Sequence, residues 1–524
     1  MAIHETPVLV VGAGLAGLST AVFLGAHGVP ALVVDRHPGT STQPKARGQN
    51  PTVMEALGSV GLTDRILAAT PPGRPEMTIV IADSVTGTVI HSLVEGVPDY
   101  SRYSPAPHGM ASQEAAEAAL AARAVELGAQ LRFGTNCEGL DQDDDEVTAT
   151  LRDVQTGAVQ TLRASYVVAA DGHRGGLRDA VGITSHGRGT FEDATTTWRV
   201  RADLSGLVPD TAIVLYYLQN PALPGRVGMI VSTDNPGEWV AGMVHDPQRS
   251  AAQTVELVRR MIGVADLDVE LLGSATWQIA HRVADSFRAG RVLLVGDAAH
   301  VMPPTGGQGG NCAVLDGYHL GWKLAAVVRG QAGAALLDNH DAEQRPFAQA
   351  VADWQMANMV IRLRPDLADD SISESIDGVR LLFGYRAPEG AFISEPGEDA
   401  GELFVHPATT SGEPGMRVPH VELRQSGTSV SPRELLNAHF LVLTGSAVMA
   451  SAAPGCCAAL GVRAMVHEVG PAGLADPDGE WAAASGVGPE GTVLVRPDGV
   501  VAWRSTGPAG ADDLDKALRA VLAR

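Results

Sequence analysis

The sequence predicts an α/β protein: a Rossmann-like dinucleotide-binding domain, an inserted α+β domain rich in sheet, and a C-terminal thioredoxin-like domain. Three observations predict it. An apolar run at residues 7–11 leads into Gly12-Ala-Gly14-Leu-Ala-Gly17 and then into helical apolar spacing. The scarce aromatics Trp198, Tyr216, Tyr217, Trp239 and Trp277 gather in alternating segments between about 180 and 285. A strand, helix, strand, hairpin, helix order begins again after about residue 420. The 524 residues suit about three domains of roughly 100–200 residues each.

The elements follow in order. Residues 7–11 read as a buried parallel strand, and Ala31-Leu-Val-Val-Asp35 as a second, with a helix up to Gly28 between them. Residues 112–127 are strongly helix-forming, with Ser112 as N-cap. Residues 145–171 read as a hairpin running into a strand that ends at Asp171-Gly172. These segments make 1–180 the first part of the nucleotide domain, and 181–285 the sheet-rich domain that should hold the substrate. The buried-strand pattern returns at Arg291-Val-Leu-Leu-Val-Gly296, and helices follow from about 312 to 329 and on to about 364. Residues 286–385 therefore complete the nucleotide domain, and 386–420, rich in Gly, Pro, Glu and Ser, read as a linker with little core. Residues 421–524 form the thioredoxin-like domain, with a hairpin turn at Pro497-Asp-Gly499 and a last helix from Asp512.

Composition excludes several functions. Lys+Arg number 38 against 60 Asp+Glu, a formal net charge of −22. Broad binding to nucleic acid needs clustered cations, and so does an anionic membrane surface, so neither is expected as a partner. Four cysteines, Cys137, Cys312, Cys456 and Cys457, are too few for a disulfide scaffold. None forms C-x-x-C and no Cys/His spacing suits zinc, so no metal is expected and a reducing, cytoplasmic location is. Residues 6–34 and 435–462 carry no formal charge, but glycines and Pro454-Gly455 break each into strand and helix rather than a membrane span. With Glu5 and no Lys or Arg before Arg36, no targeting segment is expected.

Two motifs carry the chemistry. In Gly12-x-Gly14-x-x-Gly17, the first glycine allows the tight turn, the second lets a pyrophosphate approach, and the third permits close helix–strand packing. Asp35, 18 residues after Gly17, is placed for ribose hydroxyls, and the adjoining Arg36 is a further cofactor candidate. This motif alone does not separate FAD from NAD. The second is Gly296-Asp297-Ala-Ala-His300-Val-Met-Pro303-Pro304-Thr-Gly306-Gly307-Gln308-Gly309-Gly310-Asn311. An acid at a strand end can bind a polyol, and the glycine-rich loop leaves backbone N–H groups open towards a flat ring.

This second run resembles the flavin-binding signature of class A flavoprotein aromatic hydroxylases, the para-hydroxybenzoate hydroxylase type. The resemblance implies FAD, with Asp297 on its ribityl chain and the loop of Gly307, Gly309, Gly310 and Asn311 around the ring. The backbone of Gly310 and Asn311 would meet the pyrimidine edge, and Pro304 would sit where oxygen reacts. Asp171-Gly172 is similar to a family motif linked to FAD and nicotinamide binding, although Gly175 replaces its usual small hydroxyl residue. Lys45-Ala-Arg47-Gly48 resembles the segment whose Arg approaches the pyrophosphate, and Gln113 matches a family FAD contact. His300 and Cys312 lie in or beside the motif, but neither has the setting of a general base or a nucleophile.

The whole chain, with Gly384-Tyr385-Arg386 and the tail Val495-Arg-Pro-Asp-Gly-Val-Val-Ala-Trp-Arg504, looks like the aromatic polyketide hydroxylases of anthracycline, tetracenomycin and angucycline intermediates. That implies NADPH or NADH as reductant, O₂ as co-substrate, and transfer of one oxygen atom from a C4a-hydroperoxyflavin to a phenolic ring. Arg386 is the candidate cation beside the substrate phenol, and Trp198, Tyr217 and Trp239 are the candidates for the substrate wall. Thioredoxin chemistry needs two thiols two residues apart, whereas Cys456 and Cys457 are adjacent. The tail is therefore expected to be redox-inactive, with a role in homodimer contacts or stability. Baeyer–Villiger insertion, antibiotic inactivation and a non-oxygenating polyketide-binding flavoprotein remain as alternatives, since they differ in pocket shape.

Overall fold

A computed structural model describes residues 4–43, 46–71, 73–395 and 401–524. Lys45 and residues 396–400 of the expected linker lie outside these.

The first sheet is built around strand His4–Val11, which pairs in parallel with Leu32–Asp35 on one side and Val159–Ala169 on the other. Val292–Leu294 and Gln130–Phe133 extend it at either side, again in parallel. Both faces are covered, which explains the continuous apolar runs. Val8, Val10, Val33 and Leu293 pack into one core, and Leu9, Val11, Leu32 and Leu294 into another. Helix Leu15–Ala26 lies against helix Gly309–Val328 on the first of these faces. Glycines make the approach close: a Cβ at Gly317 would crowd Ser19 and Thr20, and one at Gly321 would crowd Phe23. This packing sets the starts of the two helices, and so the two motifs, side by side.

The second sheet has eight strands. It is not confined to 181–285. Hairpin Arg74–Ala82 with Val89–Gly96 joins it through a parallel pairing to Thr211–Gln219, and His300–Val301 closes its other edge. The sequence between 74 and 96 carries no signal that it belongs with residues more than a hundred positions later. Helix Ala251–Ile262 covers one face, where Trp198, Tyr216, Trp239, Leu257, Val258 and Met261 form a core.

The C-terminal unit pairs Phe440–Thr444 in parallel with Ala464–Glu468 and antiparallel with Thr492–Val495, which pairs with Val501–Ser505. Helices Ala447–Ala459 and Ala511–Val521 complete the expected order. Cys456 and Cys457 are both free. The segment from 386 to 420 is more than a linker: Ala387, Ala391, Phe404, Met416 and Val418 are buried. Among the described residues, no helix is long and apolar enough to cross a membrane, and no group of three or more His, Cys, Asp or Glu is placed to hold a metal.

Candidate active site

The first motif builds a turn only glycine can make. Gly12 has φ of +112°, and a Cβ there would overlap the Ala170 carbonyl. A Cβ on Gly17 would overlap the Gly12 carbonyl, so strand and helix meet only because both are glycine. Gly14 differs: its Cβ position meets nothing nearer than Glu117 Oε1 at 3.8 Å, which leaves the approach open. Helix Leu15–Ala26 has no side-chain cap and no acid in its first turn. Its free N–H groups and positive dipole end suit a pyrophosphate. Asp35 closes its strand beside the turn, with Oδ2 accepting from the Ala13 N–H at 2.7 Å and Oδ1 from the His37 N–H at 2.7 Å. Arg36 is exposed next to it and lies close enough to Asp171 to favour its charged form.

The second motif lands against the first. Gly296 has φ of +60°, and a Cβ there would press on Ala16. Asp297 follows in a one-turn 3-10 helix, half exposed, with His173 Nδ1 3.9 Å from its Oδ2. Asp316 fixes this turn from below. Its Oδ2 accepts from the Gly296 N–H and from His300 Nε2, each at 2.7 Å. His300 is buried, and although burial disfavours its charge, Asp316 outweighs this and raises its pKa. It is a structural partner, as expected, rather than a base facing the cavity. Cys312 is buried, and burial pushes its thiol far up.

Beyond the turn, Pro304 is exposed, Gly307 has φ of +68° with open space at its Cβ position, and helix Gly309–Val328 starts with neither cap nor acid. Gly309 and Gly310 form its first turn, and a Cβ on Gly310 would lie 3.1 Å from Leu15. The Asn311 side chain ties the loop together: Nδ2 donates to the Gly307 carbonyl at 2.8 Å, and Oδ1 accepts from the Asn50 N–H at 2.9 Å. A narrow cavity of about 20 Å³ is lined by Leu15, Arg47, Gln113, Gly307, Gly310 and Asn311. Gln113 sits there at the start of helix Gln113–Glu126, capped by Ser112 as the sequence predicts. Its Nε2 donates to Glu117 Oε1 at 2.7 Å.

The residues present fit FAD. The two uncapped helix starts, the open Gly14 and Gly307, and the Asp171 carboxylate all converge on this cradle. Asp171 Oδ1 is buried without a hydrogen-bond partner, and burial raises its pKa. The departure at Gly175 has a physical reason as well, because a Cβ there would overlap the Asp171 carboxylate.

Several expectations are corrected. Trp198 and Trp239 belong to the core beneath helix Ala251–Ile262, not to a substrate wall. Alternation along Thr211–Gln219 explains this: Val214, Tyr216 and Leu218 enter that core, so Ile213, Leu215 and Tyr217 face the other way. Ile213 packs with Met110 near Gly48, and Tyr217 is buried with the Arg362 guanidinium 5.6 Å from its ring. Arg362 in turn donates to the Thr305 carbonyl at 3.1 Å, which links Tyr217 to the flavin loop. Arg47 is not aimed at a pyrophosphate. Its Nη1 donates to the Ser232 carbonyl at 2.7 Å and its Nη2 pairs with Asp234, so it ties the two-stranded ribbon of Arg47–Gln49 and Gly109–Ser112 to the second sheet. Arg386 lies in an extended stretch bridged to Met416, next to Tyr385, whose hydroxyl donates to the Glu343 carbonyl. Glu343, which Tyr385 contacts, is 19 residues from Arg362 on helix Asp338–Arg362, about 28 Å at 1.5 Å per residue.

Glu117, Asp316 and Arg362 were not found by sequence reasoning. Glu117 alone left a signal, an acid one helical turn after Gln113 on the same face of the helix.

Comparison with known proteins agrees with this geometry. The FAD binding domain family matches residues 5–355, and the aromatic-ring hydroxylase C-terminal family matches 411–524. Aklavinone 12-hydroxylase RdmE of Streptomyces purpurascens is 38% identical, covering 99% of both chains. Tetracenomycin A2 monooxygenase-dioxygenase of Streptomyces glaucescens is 36% identical over 100% of this chain and 98% of its own. A 4-methyl-5-nitrocatechol 5-monooxygenase of a Burkholderia species is 38% identical, covering 99% and 98%. The crystal structure of aklavinone-11 hydroxylase with FAD and aklavinone superposes with a TM-score of 0.93 at 38% identity, covering 100% of both chains. The chain belongs to the FAD-dependent aromatic-ring hydroxylases and is a flavin monooxygenase.

Proposed function

We propose that this enzyme hydroxylates a phenolic or quinonoid ring of a fused-ring polyketide, with NADPH or NADH as reductant and O₂ as the oxygen source. The observation that carries the reading is likeness along the full chain to enzymes named for aklavinone and tetracenomycin. The sheet face bearing Ile213, Leu215 and Tyr217 supports it, since an apolar wall with one polar tip suits a flat aromatic substrate.

When bound, FAD supplies the redox and oxygen chemistry. The chain's own residues bind, orient and exclude water. The Gly12–Gly17 turn would take the pyrophosphate, Asp35 the ribose and Asp297 the ribityl chain. Gly307, Gly309, Gly310 and Asn311 would hold the ring by backbone N–H groups, Gln113 and Asp171 would line the cofactor pocket, and Pro304 would form the loop surface on the reacting side. Burial raises the Tyr217 pKa despite Arg362, so the hydroxyl stays protonated and can donate to a substrate oxygen.

The test is NADPH oxidation by the purified yellow protein, in air, with anthraquinone and naphthacenequinone phenols and a nitrocatechol as comparator. Substrate-stimulated oxidation with one added oxygen in a polyketide product is expected. Stimulation by the nitrocatechol alone would move the substrate to single rings. Ring insertion instead of hydroxylation would overturn the reaction type.

A further inference from the structure

A second cavity, of about 100 Å³, lies at the junction with the C-terminal domain, and its lining runs from Gln308 and Asn311 of the flavin loop to Arg417 and Arg433. Its walls include Tyr318, Phe383, Arg417, Arg433, Glu343 and Asp498. That volume admits several waters or one small ion.

The charges around it do not balance. Glu55 accepts from both Arg417 and Arg433. Arg496 spans Glu343 and Asp498, and Lys323 donates to Glu343 at 2.6 Å. His319 Nδ1 lies 2.9 Å from Asp498. All these side chains except His319 are no more than 16% exposed. Among the described residues this sets four cations against three carboxylates, with His319 taken as neutral. The excess has a visible consequence at Arg417. Its Nη1 is buried with no hydrogen-bond partner, and its guanidinium rests over the Phe383 ring at 5.0 Å. Burial, with Arg433 beside it, lowers Arg417 to about 10. Water could satisfy the donor, but it would leave a buried net charge, which is costly until it is paired.

We propose that this cavity binds one small monovalent anion, a halide or a compact oxyanion such as formate or bicarbonate, on Arg417. The anion neutralises the fourth cation and fastens the C-terminal domain to helix Pro51–Ser59, which carries Glu55.

The test uses the FAD-loaded full chain. Crystals grown without halide are soaked in sodium bromide and the anomalous signal is mapped. In parallel, the thermal midpoint is followed in bromide, chloride, formate or bicarbonate against gluconate at constant ionic strength. A bromide peak within hydrogen-bond reach of Arg417 Nη1, and a saturable rise of several degrees, both absent in Arg417→Gln, are expected. Planar density at Nη1 that bromide does not displace, with the rise in formate or bicarbonate only, would assign the oxyanion and uphold the site. Water alone at Nη1, a peak without a saturable rise (binding at crystal concentration only), or an unchanged response in Arg417→Gln would each overturn the proposal. Should Arg417→Gln fail to fold, the wild-type arms decide.

Discussion

The two ends of helix Gly309–Val328 sit in opposite surroundings. Its first turn has no cap, no acid, and a loop before it with open space at Gly307. Its second half carries Trp322 and Lys323 into the junction with the C-terminal domain, where Lys323, Glu343, Arg496 and Asp498 are nearly without solvent. The first end keeps polar groups unsatisfied for a cofactor to meet. The second pairs Lys323, Glu343, Arg496 and Asp498 with one another, in a setting where breaking a buried pair is costly. The difference teaches that a single helix can hold a ligand site open because its other end is locked.

Removing one partner from the locked end is the largest expected effect. Arg496→Met leaves Glu343 with Lys323 and the Ala391 N–H, and Asp498 with His319. A buried charge deprived of its partner costs about 3–5 kcal/mol. Denaturant unfolding should show that loss, while the protein still purifies yellow. Stability equal to wild type would break the comparison. The same network sets an acid limit. Burial alone would raise the Glu343 carboxyl, but Arg496 and Lys323 outweigh it and hold it at about 2, against an ordinary 4.5. A carboxylate with a depressed folded pKa stabilises above its unfolded value, so the contribution is present above pH 4.5 and is lost as pH falls from 4.5 towards 2. The unfolding midpoint should fall across that window in wild type and less steeply in Glu343→Gln.

At the open end, two glycines separate folding from binding. Gly17→Ala drives a Cβ into the Gly12 carbonyl, so helix and strand must part. FAD affinity should fall roughly 100-fold, or about 2.7 kcal/mol, together with stability. Gly14→Ala meets only Glu117 Oε1 at 3.8 Å, so the fold should keep its stability while FAD binding weakens roughly tenfold. Flavin titration beside thermal unfolding checks both. Equal stability losses in the two variants would show that the cradle is structural throughout. Asp297→Asn should likewise weaken FAD by roughly tenfold, the worth of one charge-assisted hydrogen bond.

The same contrast governs what the sequence revealed. The open end was legible because its requirements are local: a turn at Gly12, a Cβ-free approach at Gly14, an acid at the end of a strand. The β-α-β unit, the Ser112 cap and the thioredoxin-like order rest on short-range pattern, and all are present. The locked end was not legible, because Glu343 meets Arg496 across 153 residues, and no local rule marks a partner so distant. Trp198 and Trp239 failed for a related reason. Alternation puts them on one side of the sheet, but which side faces the cofactor is set by helix Ala251–Ile262 and by the hairpin from 74 to 96.

The smallest expected effect falls in the C-terminal domain. Cys457 is buried, which pushes its thiol up to about 11, and Cys456 is also raised by burial. Neither presents a thiolate at neutral pH, and adjacent residues on a helix point about 100° apart. Cys456→Ser should leave the flavin spectrum and NADPH oxidation unchanged and shift stability by no more than about 0.5 kcal/mol, since Cys456 lies at the rim and its Sγ only approaches the Ala511 carbonyl at 3.6 Å. Lost turnover in that variant would mean that a thiol shares the chemistry. Unchanged turnover, set beside a large stability loss in Arg496→Met, would mean that this domain acts through the charges it buries against helix Asp338–Arg362 and that its cysteines only fill space.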